Sequence, residues 1–382
     1  MEQPALLSII RTETNYRFRL DLPGGPIGQE YSTDLAPEVR ERLRRSLQAI
    51  GQVTQTTEAR RAGTRIGPTQ DALLTLGRYL FETILPAPLQ ESIRRIETAL
   101  IFSTNTPDIP WELMYDNSPK SKRYLCQALS VGRIIQQERD TTQQRFAPLD
   151  RPGRKINGKR DAQGLSVLFL VNPTNERPGA EEEVATLCTS LPESVTRIIL
   201  YRQQANQLEM RVRIGADTPH VLHYAGPLPQ TNGTGEPTLA LAGNSRLDNN
   251  VFEQLLQGLP KHPLVLLSYH EDERGGRSIS QQERDEQNER LANNLMAAGA
   301  GVVITQRWAI NAQRAREFMT LFYQDIADGV EVGEALRHAR IALAQHYMDD
   351  TSWMSFLLYG DPAQRLVAST LSGKERVADP PL

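Results

Sequence analysis

Apolar runs that alternate with helical segments constrain the second half of this chain more than any other feature. Leu165 to Val171 is a nearly continuous apolar run, as expected for a strand buried on both faces of a parallel sheet. Strands separated by helices predict an α/β fold of three layers, with a mostly parallel central sheet flanked by helices. The other predicted strands of this region are Val195 to Tyr201, Val221 to Ala225, Leu264 to Ser268, Val302 to Thr305 and a short one at Thr238 to Leu241.

The first hundred residues have a different pattern. Leu6 to Ile10 and Tyr16 to Leu22 alternate as two strands, and Pro37 to Ile50 has apolar residues at helical spacing. These elements predict a small N-terminal α+β segment. The predicted division is an N-terminal segment at 1–98, a main domain at 99–365 and a disordered tail at 366–382.

Composition excludes several classes of protein. Of the 382 residues, 39% are hydrophobic and 23% are charged, and the net charge is −3, so the whole chain is not marked as a polyanion binder. Cys126 and Cys188 are the two cysteines, too few for a disulfide framework, and they favour a reducing compartment. There is no secretory leader pattern and no apolar run long enough for a membrane span, so we expect a cytoplasmic protein.

Short motifs follow one another along most of the chain, and together they resemble the CHAT family of caspase-like cysteine peptidases. Their order and spacing carry the resemblance, which covers roughly Leu76 to Pro362 and implies a caspase-like fold. The motifs are Leu76-Gly77-Arg78-Tyr79-Leu80-Phe81, Ile109-Pro110-Trp111-Glu112-Leu113, Val131-Gly132-Arg133, Val221-Leu222-His223-Tyr224-Ala225-Gly226, Leu266-Leu267-Ser268, Ala297 to Val303 with Trp308, and Leu358-Tyr359-Gly360-Asp361-Pro362.

The resemblance also implies where a catalytic dyad should lie. In the family, the strand that matches Val221–Gly226 leads to a catalytic histidine, and the strand that matches Leu266–Ser268 leads to a catalytic cysteine. Here the chain continues with Pro227 after the first strand and with His270 after the second. Proline offers neither a base nor an N–H group. We therefore predict a degenerate member that lacks the Cys/His dyad and has no catalytic residue at these positions.

No other residue is expected to replace the dyad. His223 precedes Pro227 by four residues, so it lies roughly 13 Å short of the catalytic position along an extended strand. Cys188 is predicted on a helix and Cys126 near a peripheral strand. A metal site at His270 would need His220 or His223, but those two point to opposite faces of a strand. We predict no metal and no cofactor.

The candidate cleft or partner-binding residues surround the two strand ends. A charged loop from Glu271 to Arg290 follows the second strand, and a protein contact is one role open to it. The basic run from Arg151 to Arg160 is expected to be a solvated loop, since no aromatic residues are interleaved for base stacking. The candidates are His223, Gly226, Leu228, Ser268, Tyr269, Glu271, Asp272 and Trp308.

These observations favour a catalytically inactive CHAT-type pseudoprotease, although the sequence leaves enzyme activity open. It would act as a protein-binding or regulatory subunit, plausibly in a bacterial defence or programmed-death system. The expected partner is a protein, such as an active protease or another component of a conflict system, and neither a membrane nor nucleic acid is expected. One alternative is a hydrolase of non-cysteine mechanism that uses His270. The other is a nucleotide- or nucleic-acid-sensing module that uses Arg-rich loops.

Overall fold

The computed structural model describes residues 3–51, 68–97, 99–136, 164–233, 235–256, 262–269, 280–308, 310, 312–348 and 350–367. Eleven strands form one sheet, and five short strands form two smaller ones. The strands of the large sheet are β1 (Ala5–Arg11), β2 (Asn15–Asp21), β3 (Glu30–Asp34), β4 (Leu100–Thr104), β7 (Val131–Ile135), β8 (Ser166–Val171), β9 (Thr196–Tyr201), β10 (Val221–Gly226), β14 (Leu264–Tyr269), β15 (Val302–Gln306) and β16 (Phe356–Gly360). The short strands are β5 (Tyr115–Asp116), β6 (Arg123–Tyr124), β11 (Gln230–Thr231), β12 (Pro237–Ala240) and β13 (Arg246–Leu247).

Helices connect most of the strands of the large sheet. The α-helices are α1 (Pro37–Gly51), α2 (Gln70–Arg78), α3 (Ala87–Arg94), α4 (Leu125–Ala128), α5 (Pro178–Ser190), α6 (Gln207–Asp217), α7 (Asn249–Leu256), α8 (Gln281–Ala297), α9 (Ala312–Ala327) and α10 (Val332–His346). A π-helical turn follows α2 at Tyr79–Ile84, and 3-10 turns lie at Trp111–Leu113, Arg202–Gln204, Ala242–Asn244 and Ser352–Met354.

The strand order of the large sheet is β3-β2-β1-β4-β7-β16-β15-β14-β10-β8-β9. Most neighbours are parallel, but β16 runs antiparallel to β15 and parallel to β7. The strand direction therefore reverses between β16 and β15, which divides the sheet into a half from β3 to β16 and a half from β15 to β9. The strand ends that carry the predicted site all belong to the half from β15 to β9.

Helices cover both faces of the sheet, which confirms the predicted three-layer α/β fold. Along β10, Val221 and Ala225 pack into one hydrophobic cluster, and Leu222 and Tyr224 pack into a second cluster on the opposite face. Helices α5, α9 and α10 contribute to the first cluster, and α6, α7 and α8 to the second. Burial on both faces explains why these strands are apolar throughout instead of alternating.

The N-terminal strands are continuous with the rest of the sheet. β1 pairs parallel with β4, so that Ala5 lies beside Leu100 and Ile9 beside Thr104. Backbone pairing thus crosses the predicted boundary between residues 98 and 99, and the division into domains stays a prediction. Most of the predicted tail at 366–382 lies outside the described residues.

One predicted loop is partly wrong. Residues 271–279 lie outside the described part of the chain, but Gln281 to Arg290, the rest of the predicted loop, is the first half of α8. Ser280 caps this helix, because its Oγ accepts the backbone N–H of Glu283 at 3.1 Å. The inner face of the helix is polar here, so the sequence lacked the apolar spacing that identifies a helix.

Among the helices in the described residues, none combines the length and the apolar character that crossing a bilayer requires.

Candidate functional site

The two strand ends on which the predicted site depends lie side by side. β10 and β14 are parallel neighbours in one register, in which Ala225 lies beside Ser268 and Gly226 beside Tyr269. Pro227 follows the first strand, and His270 follows the second in the sequence. His270, Glu271 and Asp272 lie outside the described residues, so the structure gives their place in the chain and no side-chain contact.

The end of β10 is closely packed and leaves no room for a side chain at Gly226. A Cβ atom built on Gly226 would lie 2.7 Å from the hydroxyl oxygen of Tyr224. That hydroxyl donates to the carbonyl oxygen of Ala240 at 3.2 Å, which fixes the ring. Pro227 is buried, while Leu228 is partly buried and packs against the second cluster. Leu228 is therefore the candidate cleft residue at the end of β10 that solvent can reach.

The end of β14 is also enclosed. The Ser268 hydroxyl donates to Glu183 Oε1 of α5 at 2.8 Å, and both residues are buried. On the next residue, the Tyr269 backbone N–H donates to Gln306 Oε1 of β15 at 3.0 Å. Burial raises the pKa of the Tyr269 phenol well above its usual range. Ser268 and Tyr269 are thus held in the sheet and its two covering layers.

His223 and Trp308 lie inside the molecule as well. His223 is fully buried, and its Nδ1 is 2.9 Å from the hydroxyl of Tyr323 on α9. Trp308 is buried against the first cluster, and its carbonyl oxygen accepts the hydroxyl of Ser355 at 2.7 Å. Of the predicted cleft residues that the structure describes, only Leu228 is more than slightly exposed.

Neither cysteine is in a setting that would activate a thiolate. Cys126 lies in the short helix α4, where burial raises the pKa of its thiol to about 11. Cys188 lies on α5, as predicted, and burial raises the pKa of its thiol too. A reactive cysteine needs the opposite change, since the thiolate is the nucleophile.

The sequence analysis missed a buried polar network beside the strand ends. It lies between α8 and the C-terminal end of β15. Arg307, directly after β15, donates from Nη2 to Asp285 Oδ2 of α8 at 2.7 Å and to the carbonyl oxygen of Asp108 at 2.7 Å. Burial raises the pKa of Asp285 to about 6, against the lowering effect of the Arg307 charge. The signal available in the sequence was Ser280 three residues before Glu283, a pattern typical of a helix start.

The described residues do not suggest a metal centre. No group of three or more His, Cys, Asp or Glu side chains in this part of the chain converges as a metal site would require. His220 bonds through Nδ1 with the Ser166 hydroxyl at 2.8 Å instead. A groove of about 610 Å³ lies between α5, α9 and α10, and none of the predicted site residues lines it. The basic run at 151–160 lies outside the described residues.

A family model described as the CHAT domain matches residues 74–361. Among solved structures, the Drosophila initiator caspase Dronc is 12% identical, with a TM-score of 0.33, over 52% of this chain and 81% of that chain. A Saccharomyces cerevisiae separase–securin complex is 9% identical, with a TM-score of 0.48, over 94% of this chain and 30% of that chain. A second structure of that complex has a TM-score of 0.45 at 9% identity, over 93% of this chain and 30% of that chain. A search of curated proteins finds no significant match.

Proposed function

The chain belongs to the CHAT domain family, and from that premise we propose that it is a member without cysteine peptidase activity that acts by binding a protein partner. The register between β10 and β14 carries the proposal. Gly226 and Tyr269 are neighbours, so the two chain segments that should present a histidine and a cysteine leave the sheet side by side. They begin instead with Pro227 and His270.

A cysteine peptidase needs a thiol within hydrogen-bond reach of an imidazole. His270 could supply an imidazole, but neither strand end supplies a sulfur atom, and Cys126 is buried in α4. Pro227 also lacks the N–H group that could help to stabilise an oxyanion. The loss of both dyad residues supports inactivity more strongly than the loss of one would.

The neighbouring hydroxyl groups do not replace the missing thiol. A serine nucleophile needs a base that can accept its proton and an open approach for the substrate. The Ser268 hydroxyl is buried and donates to the Glu183 carboxylate of α5. The Tyr269 phenol is held neutral, since burial raises its pKa.

A peptidase scaffold without its dyad can still bind an extended peptide by strand addition. The partly buried Leu228 beside the strand ends is, among the predicted cleft residues that the structure describes, the one best placed to contact such a peptide. The partner that we propose is a protein met in the cytoplasm, an active protease or another component of a bacterial defence or programmed-death system. That setting comes from the family premise alone.

The first experiment tests inactivity. The purified protein is incubated with a diverse peptide library and, separately, with a thiol-directed covalent probe. We expect no cleavage, and only slow labelling of Cys126 and Cys188, because both thiols have a raised pKa. Metal-dependent hydrolysis that His270→Ala abolishes would contradict the proposal and favour a hydrolase of another mechanism.

The second experiment tests binding, with a displayed library of random peptides as the probe. We expect enriched peptides whose binding is lost in Leu228→Asp and kept in Leu208→Asp, a matched control on α6 where the side chain is 70% exposed. Equal binding by both variants, or no enrichment with the wild type, would count against a peptide-binding site at these strand ends. Steeply salt-dependent binding of RNA or DNA would favour the sensing alternative instead.

A further inference from the structure

The two edges of the large sheet are built differently. β3 forms one edge, with five residues that begin at Glu30 and end at Asp34. Charged side chains on a short strand are a common way to prevent edge-to-edge pairing. β9 forms the other edge with the sequence Thr-Arg-Ile-Ile-Leu-Tyr, whose single charged residue is Arg197. The edge at β9 therefore lacks the protection that the edge at β3 has.

The backbone of β9 offers a regular set of hydrogen-bonding groups. The Thr196 N–H donates to the carbonyl oxygen of Leu165, just before β8, at 2.8 Å. Thr196, Ile198 and Leu200 therefore direct their backbone N–H and C=O groups towards β8. The intervening residues Arg197, Ile199 and Tyr201 turn their N–H and C=O groups the other way, as the parallel ladder requires. In the part of the chain that the structure describes, no strand lies on that side.

The strand β9 carries apolar side chains on both faces of the sheet, and most of them are half-buried. Ile199 and Tyr201 pack at the margin of the first cluster, and Ile198 packs at the margin of the second. The guanidinium of Arg197 is turned back and donates from Nη2 to the carbonyl oxygens of Leu191 and Pro192. The charge of Arg197 is thus held at the preceding loop, where it does not block a new strand.

We propose that β9 pairs antiparallel with β9 of a second copy of this chain, about a two-fold axis at Ile199, so that one sheet runs through both copies. In that register Ile199 lies opposite itself, and Arg197 lies opposite Tyr201. Every residue that turns its backbone groups outwards meets another that does so, which gives about six interchain hydrogen bonds. A shift of the axis by one residue in either direction leaves part of this set without a partner.

The same register matches the side chains. Ile198 lies opposite Leu200 on one face, and on the other face the stem of Arg197 lies against the ring of Tyr201. Apolar cross-strand pairs stabilise a sheet, and no like charges oppose one another. This self-complementarity is what an isologous contact requires, and it favours a second copy over an unrelated strand.

Helix α6 adds a second complementary element. Met210 and Ile214 are its buried residues, and Arg211 contacts Gln254 of α7, which places α7 on that flank. At 3.6 residues per turn, Glu209 and Arg213 lie on the opposite flank, towards the β9 edge. A two-fold axis through Ile199 would run the two copies of α6 antiparallel, with each Glu209 towards the Arg213 of the other copy.

The experiment measures the mass of the full chain in solution by light scattering and by sedimentation over a wide range of concentrations. We expect twice the 42.9 kDa of one chain, falling to one chain in Ile199→Lys. Ser32→Lys introduces a lysine at an exposed position of β3, the strand at the other edge, and should leave the dimer unchanged. A wild type that stays monomeric throughout, or a dimer that persists in Ile199→Lys, overturns the proposal.

A disulfide trap tests the register itself, in a Cys188→Ser background. Ile199→Cys should form a covalent dimer on oxidation, because paired residues of antiparallel strands fall within the Cα–Cα range of a disulfide. Ile198→Cys should not, since each copy of residue 198 lies opposite residue 200. Equal cross-linking of the two variants would overturn this register. The outcome is separate from the proposed function, because dimerisation at β9 does not depend on the contents of the strand ends at β10 and β14.

Discussion

Glu112 and Arg133 have a structural role, which can account for their presence in the family motifs. They belong to the Pro-Trp-Glu-Leu and Val-Gly-Arg segments, and their side chains form an ion pair in the interior. Arg133 also donates to the carbonyl oxygens of Pro107 at 2.8 Å and Ile109 at 2.9 Å. The pair therefore holds the loop before the motif against β7. The loss of one partner would leave a buried charge, which generally costs about 3–5 kcal/mol.

His338 on α10 provides a test of pH dependence. Its Nδ1 lies 2.7 Å from Asp325 of α9, and its Nε2 lies 3.0 Å from Glu334. The two carboxylates stabilise the charged imidazole and raise the pKa of His338 to about 9. Because the folded-state pKa exceeds the unfolded value of about 6.5, this stabilisation is complete below pH 6.5 and is lost as the pH rises through 9.

We expect His338→Ala to be less stable than the wild type at pH 6 and equally stable at pH 10, as measured by urea unfolding. The side chain is 44% exposed, so solvent screening should keep the difference below about 1 kcal/mol. His346→Ala, on the same helix, serves as the control and should change the free energy of unfolding by the same amount at pH 6 and at pH 10. A difference for His338→Ala that grows with pH would show that the sign is wrong.

Single residues also show why the candidate site could only partly be predicted. The position of Pro227 and His270 after neighbouring strands follows from the motif order. The burial of His223 and Ser268 does not, because a strand covered on both faces gives no sequence signal for which side chains face an opening. Their partners, Tyr323 and Glu183, come from helices far away in the sequence.

At the scale of elements, α8 is the clearest difference between prediction and structure. Its first half buries Arg284, Asp285 and Asn288 instead of apolar residues. Asn288 Nδ2 donates to the Gln306 carbonyl oxygen at 2.9 Å, and Asp285 pairs with Arg307. β15 and the residue after it therefore supply the partners that make a polar inner face possible, and those partners are not visible from the sequence of the helix itself.

The start of α8 is held by its cap, which gives a prediction at this scale. Ser280→Ala removes the acceptor for the Glu283 N–H and should lower the free energy of unfolding by about 1 kcal/mol. Ser280→Asp keeps an acceptor and should stay within a few tenths of a kcal/mol of the wild type. Chemical denaturation of the three proteins decides between these outcomes. Equal losses in both variants would mean that the side-chain cap does not stabilise the helix.

At the scale of the whole molecule, the pairing of β16 with β7 joins the C-terminal strand to the strands from the first part of the chain. Glycines allow the close approach: a Cβ atom on Gly132 would lie 2.5 Å from the Gly360 carbonyl oxygen, and one on Gly333 would lie 2.4 Å from the Pro362 side chain. Two motif segments, around Gly132 and around Gly360, therefore meet the start of α10 at one junction.

We expect Gly132→Ala to destabilise the protein by about 1–3 kcal/mol, because its methyl group would force the backbones of β7 and β16 apart. Gly215→Ala is the matched control, since no neighbouring atom lies within 4 Å of a Cβ built on Gly215. On an exposed helix, that change should be neutral or stabilising by about 0.5–1 kcal/mol. Thermal unfolding compares the two, and a Gly132→Ala protein as stable as the wild type would show that the junction can relax.

The sequence by itself determined the α/β class and the order of the strands along the chain, because these depend on local periodicity, while the replacement of both dyad residues stays a prediction from the family resemblance. Tertiary structure alone decided that β1 to β4 join the same sheet, that α8 can bury charged side chains and that β9 is left as an edge. Each of these depends on which distant segment supplies a hydrogen-bonding or charged partner. Local sequence does not encode that partner, since backbone groups are the same in every strand.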